Sequence, residues 1–127
     1  MIIKQYDQHD YPVVLDLIIS EGEEWVEYAL SKKEAYQQAL HSSITFIMMQ
    51  DDLCIGYIRC RDDDGFGIYV YDLLVRQGYR GHHYGKMMID HVKSHYPEDD
   101  FYIMSDVDPY YIKQGYERIG SIFQVKS

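Results

Sequence analysis

Three runs rich in apolar and tyrosine residues, Ile44–Met49, Leu53–Arg61 and Phe66–Arg76, are separated only by Gln50-Asp51-Asp52 and Asp62-Asp63-Asp64-Gly65. Connections this short join neighbouring strands antiparallel, and aspartate and glycine tolerate the positive φ that such turns demand. The chain must therefore be built around an antiparallel meander. With 127 residues, 46% of them hydrophobic, there is material for one core, so a single domain spanning 1–127 is expected.

The flanking segments have a different period. Ile2–Tyr6 reads as a short strand. Asp10 before Tyr11-Pro12 is a helix-start pattern, and Val13, Val14, Leu17 and Ile18 then recur at helical spacing until Gly22. Residues 22–42 predict one or two short helices, with Ser31 and Glu34 in a capping-box pattern. Beyond the meander, a glycine-bearing turn at Gln77–Gly81 leads into a helix whose apolar stripe is Gly85, Met88, Ile89, Val92 and Tyr96, and Pro97 stops it. Phe101–Met104 predicts a strand, Asp108-Pro109 opens a short helix closed by Gly115, and Glu117–Lys126 reads as a last strand with an irregularity at Gly120. The predicted order is β-α-α-β-β-β-α-β-α-β, an α/β domain.

Composition excludes several functions. Twenty-one acids against twelve bases give a net charge of −9, which disfavours a nucleic-acid backbone as partner. No apolar run approaches the ~20 residues of a membrane-spanning helix. The amino terminus lacks the pattern of a secretory signal, so a cytoplasmic location is expected. Cys54 and Cys60 lie on one predicted strand, roughly 20 Å apart at ~3.3 Å per residue, and read as reduced packing residues. His91 and His95 have i, i+4 spacing without a third ligand at recognisable spacing, and no metal is expected.

The stretch Tyr71-Asp72-Leu73-Leu74-Val75-Arg76-Gln77-Gly78-Tyr79-Arg80-Gly81-His82-His83-Tyr84-Gly85-Lys86 carries the chemistry. It runs from strand through a glycine turn into a helix start, where unbonded N–H groups and the helix dipole favour an anion. Arg80 and Lys86 add two cations. A P-loop does not fit, because Gly81 to Gly85 is one residue short and Met87 stands where a hydroxyl is needed. A dinucleotide fingerprint fails on glycine spacing and on the missing βαβ context.

The stretch resembles motif A of the GCN5-related N-acetyltransferase (GNAT) superfamily, [QR]-x-x-G-x-[GA] after a strand ending in apolar-x-Val. Arg80 takes the first position and Gly85 the last, with His83 in place of the middle glycine. Pro109-Tyr110-Tyr111-Ile112-Lys113-Gln114-Gly115-Tyr116 resembles motif B, without its Asn-x-x-Ala lead-in, whose places Met104 and Val107 occupy. The resemblance covers nearly the whole chain. It implies a mixed, mostly antiparallel sheet flanked by helices, with the strands at 69–75 and 101–105 parallel and splayed around the pantetheine arm of acetyl-CoA.

By that resemblance the backbone of Leu73, Leu74 and Val75 would bind pantetheine, and Arg80, Gly81, His82, His83, Tyr84, Gly85 and Lys86 would surround the pyrophosphate. An amine of a small molecule or peptide would attack the acetyl carbonyl directly, with acetyl-CoA as co-substrate and no metal. Tyr111 matches the tyrosine that protonates the leaving thiolate. The base is open between Asp72 and the pair Glu23 and Glu24, which border the acceptor pocket in this family. Tyr71, whose place often carries the acid in related enzymes, is the third acceptor-side residue, and strict alternation would put it on the opposite face from Asp72.

Other readings of the same residues are a non-catalytic acyl-CoA-binding domain and a tyrosine-rich interaction surface, and the exposed strand edges leave room for a homodimer. Residues 1–72 hold fourteen acids and five bases, whereas 73–127 hold seven of each. The acceptor-side half is thus the acidic one, which points to a cationic acceptor.

Overall fold

The structure, a computed structural model, describes residues 1–126. Strands β1 (Ile2–Gln5), β2 (Ile44–Gln50), β3 (Leu53–Asp62), β4 (Ile68–Val75) and β5 (Phe101–Ile103) form one sheet in sequence order. The first four are antiparallel neighbours, and β4 and β5 are parallel. The short turns at 51–52 and 63–67 make the meander, with Asp51, Asp64, Gly65 and Gly67 at positive φ, so the third strand of the meander begins at Ile68 and not at Phe66 as expected. Helices α1 (Tyr11–Glu21), α2 (Glu23–Leu30) and α3 (Lys33–Ser42) precede the meander, α4 (Tyr84–His95) follows it, and α5 (Asp108–Lys113) follows β5.

Period-2 alternation in the strands splits the core in two. One half joins Tyr11, Val14, Leu17 and Ile18 of α1, with Ala29, Tyr36 and Leu40, to Ile47, Cys54, Tyr57 and Leu74. The other packs Met88, Ile89 and Val92 of α4 on Phe46, Met48, Ile58, Cys60, Ile68 and Val70. The cysteines therefore lie in separate cores and are free thiols. Burial pushes Cys54 up to about 11 and Cys60 up to about 12. At pH 8 about one thiol in a thousand or fewer is thus a thiolate, and a thiol reagent is expected to modify both only as fast as the protein unfolds. Prompt modification of the native protein would contradict this. Both folded values exceed the unfolded value of 9.0, so their contribution to stability is complete below pH 9 and is lost as pH rises toward 12.

Three local expectations are corrected. Asp10 does not cap α1 with its side chain; instead it closes a capping box with Asp7 around a 3-10 turn at Gln8–Asp10, each carboxylate accepting a backbone N–H at 2.9 Å. Ser31 bonds back to the Glu27 carbonyl at the end of α2, and α3 starts at Lys33 with no side-chain cap. Glu117–Lys126 is not a strand. Its apolar side chains alternate too loosely to bury one face, and Ile119, Ile122, Phe123 and Val125 stand exposed. A strand needs a ladder, and here residues 117–122 face β5 across a cavity of about 990 Å³ instead of bonding to it.

Candidate active site

β5 pairs with β4 only from Ile68↔Phe101 to Val70↔Ile103, and Met104 N–H to Val70 C=O, 2.9 Å, is the last bond of the ladder. Beyond it the β5 side of residues 71–75 has no strand partner among the described residues, while their other side continues against β3 as far as Gly56↔Val75. The splay begins at an irregularity: Arg59 opposes Asp72 and Cys60 opposes Val70, so Tyr71 is an extra residue. That bulge corrects the expectation for Tyr71. Instead of lying on the face opposite Asp72, it turns toward the same partner, with the Arg59 guanidinium 5.6 Å from its ring centroid.

The strand leads into the predicted helix start. Gly78 and Gly81 adopt φ of 90° and 88°, and His83, at the N-cap of α4, φ of 62°. The middle glycine of the motif marks a left-handed position, and histidine adopts it here at a cost of roughly 1 kcal/mol. The first ladder bond of α4 is Met87 N–H to His83 C=O, 3.0 Å, which leaves the N–H groups of Tyr84, Gly85 and Lys86 outside the helical ladder. Gly85 is buried, and a β-carbon there would meet the Tyr110 hydroxyl at 2.7 Å. The two predicted motifs thus touch, since the last glycine of the first is the seat of a tyrosine from the second. His82 and His83 are exposed beside this start.

The loop cations are both paired. Arg80 donates to Val75 C=O at 2.9 Å and pairs with Glu21 at the end of α1, and Lys86 pairs with Asp90 at 2.6 Å. Arg80 therefore fixes the turn to α1, and the unspent anion donors of the loop are backbone N–H groups.

On the face of the sheet covered by α1–α3, Asp72 Oδ2 accepts from Arg59 Nε at 2.7 Å and from the Tyr57 hydroxyl at 3.0 Å. The carboxylate is 11% exposed and the arginine 18%. Both contacts fall on Oδ2, so Oδ1 has no partner among the described residues. Tyr57 is fully buried, and burial together with the Asp72 charge pushes its phenol well up. Trp25 of α2 stands edge-on to Tyr57 and Tyr28, and Tyr28 stacks on Tyr36. Glu23 and Glu24 are exposed in the first turn of α2. Tyr111 lies between Tyr110 and Tyr116. Burial first, then Tyr110 and Asp106, push it up to about 12.

Sequence reading missed Arg59, Tyr57, Tyr28 and Asp106. For Arg59 a signal existed. Alternation from buried Tyr57 puts it on the inward face of β3, and a buried cation needs an anion, which on the neighbouring strand is Asp72.

A parallel strand pair that opens beside a helix start with three N–H groups outside the ladder, in an otherwise antiparallel sheet flanked by helices, defines the class of α/β domain to which the chain belongs. The pattern of the acetyltransferase (GNAT) family matches residues 7–116, and the chain belongs to that family. Solved structures agree in fold. A GNAT family acetyltransferase from Streptococcus pneumoniae TIGR4 is 22% identical, with 99% of this chain and 98% of that chain covered and a TM-score of 0.73. An aminoglycoside acetyltransferase from an uncultured soil metagenomic sample is 16% identical over 99% and 97%, TM-score 0.76. A second aminoglycoside acetyltransferase from such a sample, in complex with sisomicin, is 17% identical over 99% and 96%, TM-score 0.73. No curated protein matches the chain. Among the described residues no helix is long and apolar enough to cross a membrane, and no group of three metal-ligating side chains occurs.

Proposed function

We propose that this protein is an acetyl-CoA-dependent N-acetyltransferase that acts on an amine of a small molecule or peptide. The observation that carries this reading is the divergence of β5 from β4 after Val70, beside the unbonded N–H groups that open α4. The residues fit the ligand. Three backbone N–H groups and the helix dipole suit a pyrophosphate, Gly85 leaves room for the Tyr110 hydroxyl that locks the two motifs together, and the edge of β4 left unpaired past Val70 offers backbone groups to a pantetheine amide. When bound, acetyl-CoA supplies the activated acetyl group.

The protein's own work is positioning and two proton movements. Asp72 Oδ1 receives the acceptor's ammonium and takes one proton from it, while Arg59 and Tyr57 fix the carboxylate through Oδ2. The neutral amine then bonds to the acetyl carbon as the C–S bond breaks, and the second proton of the nitrogen restores the Tyr111 phenol after it protonates the thiolate, so that one proton in all is released. Glu23 and Glu24, exposed on α2, draw a cationic amine toward the site, and Tyr71 forms its wall. Tyr111 stays protonated at physiological pH and gives its proton to the departing thiolate. The two aminoglycoside acetyltransferases of the same fold support an amine acceptor.

A thiol-release assay with acetyl-CoA over polyamines, aminoglycosides, amino acids and peptide amino termini tests this reading. Turnover with at least one class is expected. Binding of acetyl-CoA without turnover across the panel would leave an acyl-CoA-binding protein instead.

A further inference from the structure

Residues 1–72 contain only five bases among fourteen acids, yet two of the five, Arg59 and Arg61, converge on one point. Spaced by two on β3, they share the face that carries Tyr57. Arg59 Nη1 and Arg61 Nη1 both donate to Ser43 Oγ, each at 3.3 Å, and Arg61 also reaches Ser42 Oγ at 3.4 Å. These serines end α3, so the two guanidinium groups meet at that helix end, and Arg59 also bonds the Asp72 carboxylate and lies 5.6 Å from the centre of the exposed Tyr71 ring.

The charges do not cancel. Arg59 is matched by Asp72, but Arg61 has no acidic partner among the described residues. Asp62, next in the chain, instead accepts the backbone N–H of Asp64 at 2.9 Å. The donors are not exhausted either. Arg59 uses Nε and Nη1, and Arg61 uses Nη1, so each retains an Nη2 with no partner among the described residues. The hydroxyls differ. Ser42 spends its hydrogen on the Gln38 carbonyl, whereas Ser43 only accepts, and a hydroxyl that accepts from two guanidinium groups is polarised to donate its own hydrogen. Two guanidinium edges and one polarised hydroxyl form a donor-only cluster with a net positive charge. Its complement is an oxyanion.

We propose that Arg59, Arg61 and Ser43 receive an oxyanion group, carboxylate or phosphate, carried by the acceptor, so that the substrate is an amino acid or amino phosphate and not a simple amine or polyamine. The inference rests on the acetyltransferase reading for the position of the amine, at Asp72 Oδ1, next to the cluster. It refines the cationic expectation: the ammonium is drawn by the acidic face, and the anionic group fixes which way the acceptor lies. Arg59 links the two, holding the proton acceptor with Nε and facing the oxyanion with Nη2.

The test measures binding by calorimetry, with and without CoA, of N-acetyl amino acids, N-acetyl aminoalkyl phosphates and the matching uncharged N-acetyl amino amides. The proteins are wild type, Arg61→Gln and Arg61→Lys, and Arg61 is exposed enough for the variants to fold. At least one oxyanion series is expected to bind about tenfold or more tightly than its amides, with the carboxylate and phosphate arms telling which group is read. Arg61→Gln should abolish that preference, Arg61→Lys should retain part of it, and CoA affinity should be unchanged in both. Equal binding of amides and oxyanions, no binding of any oxyanion, or a preference that survives Arg61→Gln would overturn the inference. Failure of CoA to bind would overturn the acetyltransferase reading alone, since the arms without CoA still read the oxyanion preference.

Discussion

Tyr111→Phe is expected to lower kcat for acetyl transfer about 100-fold, the usual scale for loss of a positioned proton donor, while leaving acetyl-CoA affinity and Tm nearly unchanged. The phenol sits between Tyr110 and Tyr116, contacts that phenylalanine retains, so the packing survives and only the hydroxyl is removed. Burial holds Tyr111 up at about 12. The donor form is therefore full across the neutral range and is lost only as pH rises toward 12. The wild-type rate should show no alkaline decline from Tyr111 below pH 10. A phenylalanine variant with wild-type kcat would make Tyr111 a packing residue and leave the thiolate to be protonated from solvent.

Asp72→Ala should have two effects, separable by experiment. Removing the carboxylate strands Arg59, which is only 18% exposed, and leaving a mostly buried cation unpaired costs about 3 kcal/mol. Urea denaturation should show the loss, and the double variant Asp72→Ala/Arg59→Met should recover most of it, because the uncompensated charge is then gone. Activity should not return with stability. If Asp72 Oδ1 takes the amine proton, the stable double variant remains at least about 100-fold slower than wild type. Recovery of both would make the Arg59–Asp72 pair structural and move the base to Glu23 or Glu24.

The regular parts of the fold were legible because they rest on local rules. The turns at 51–52 and 63–67 set the antiparallel order, Gly22 and Pro97 bound helices, and the apolar stripe of α4 from Gly85 to Val92 is the buried face observed. The left-handed turn that opens α4 was legible from its glycines, and the left-handed His83 explains why one of them could be replaced. What sequence could not provide is long-range. The bulge at Tyr71 arises from the register between β3 and β4, and it moves a side chain across the sheet, which counting by two cannot foresee. The pairing of Arg80 with Glu21 and the meeting of Arg59, Arg61 and Ser43 join residues far apart in sequence. The tail failed for the opposite reason. Its composition suits a strand, but composition does not supply the neighbour that a strand requires.

Binding calorimetry with acetyl-CoA tests the central claim most directly, because the splay after Val70 and the start of α4 have one common ligand in this account. One saturable site with sub-millimolar affinity is predicted, competed by CoA and weakened by Gly81→Pro, which cannot adopt the φ of 88° found there. No binding heat at millimolar acetyl-CoA, with the protein shown to be folded, would contradict the account.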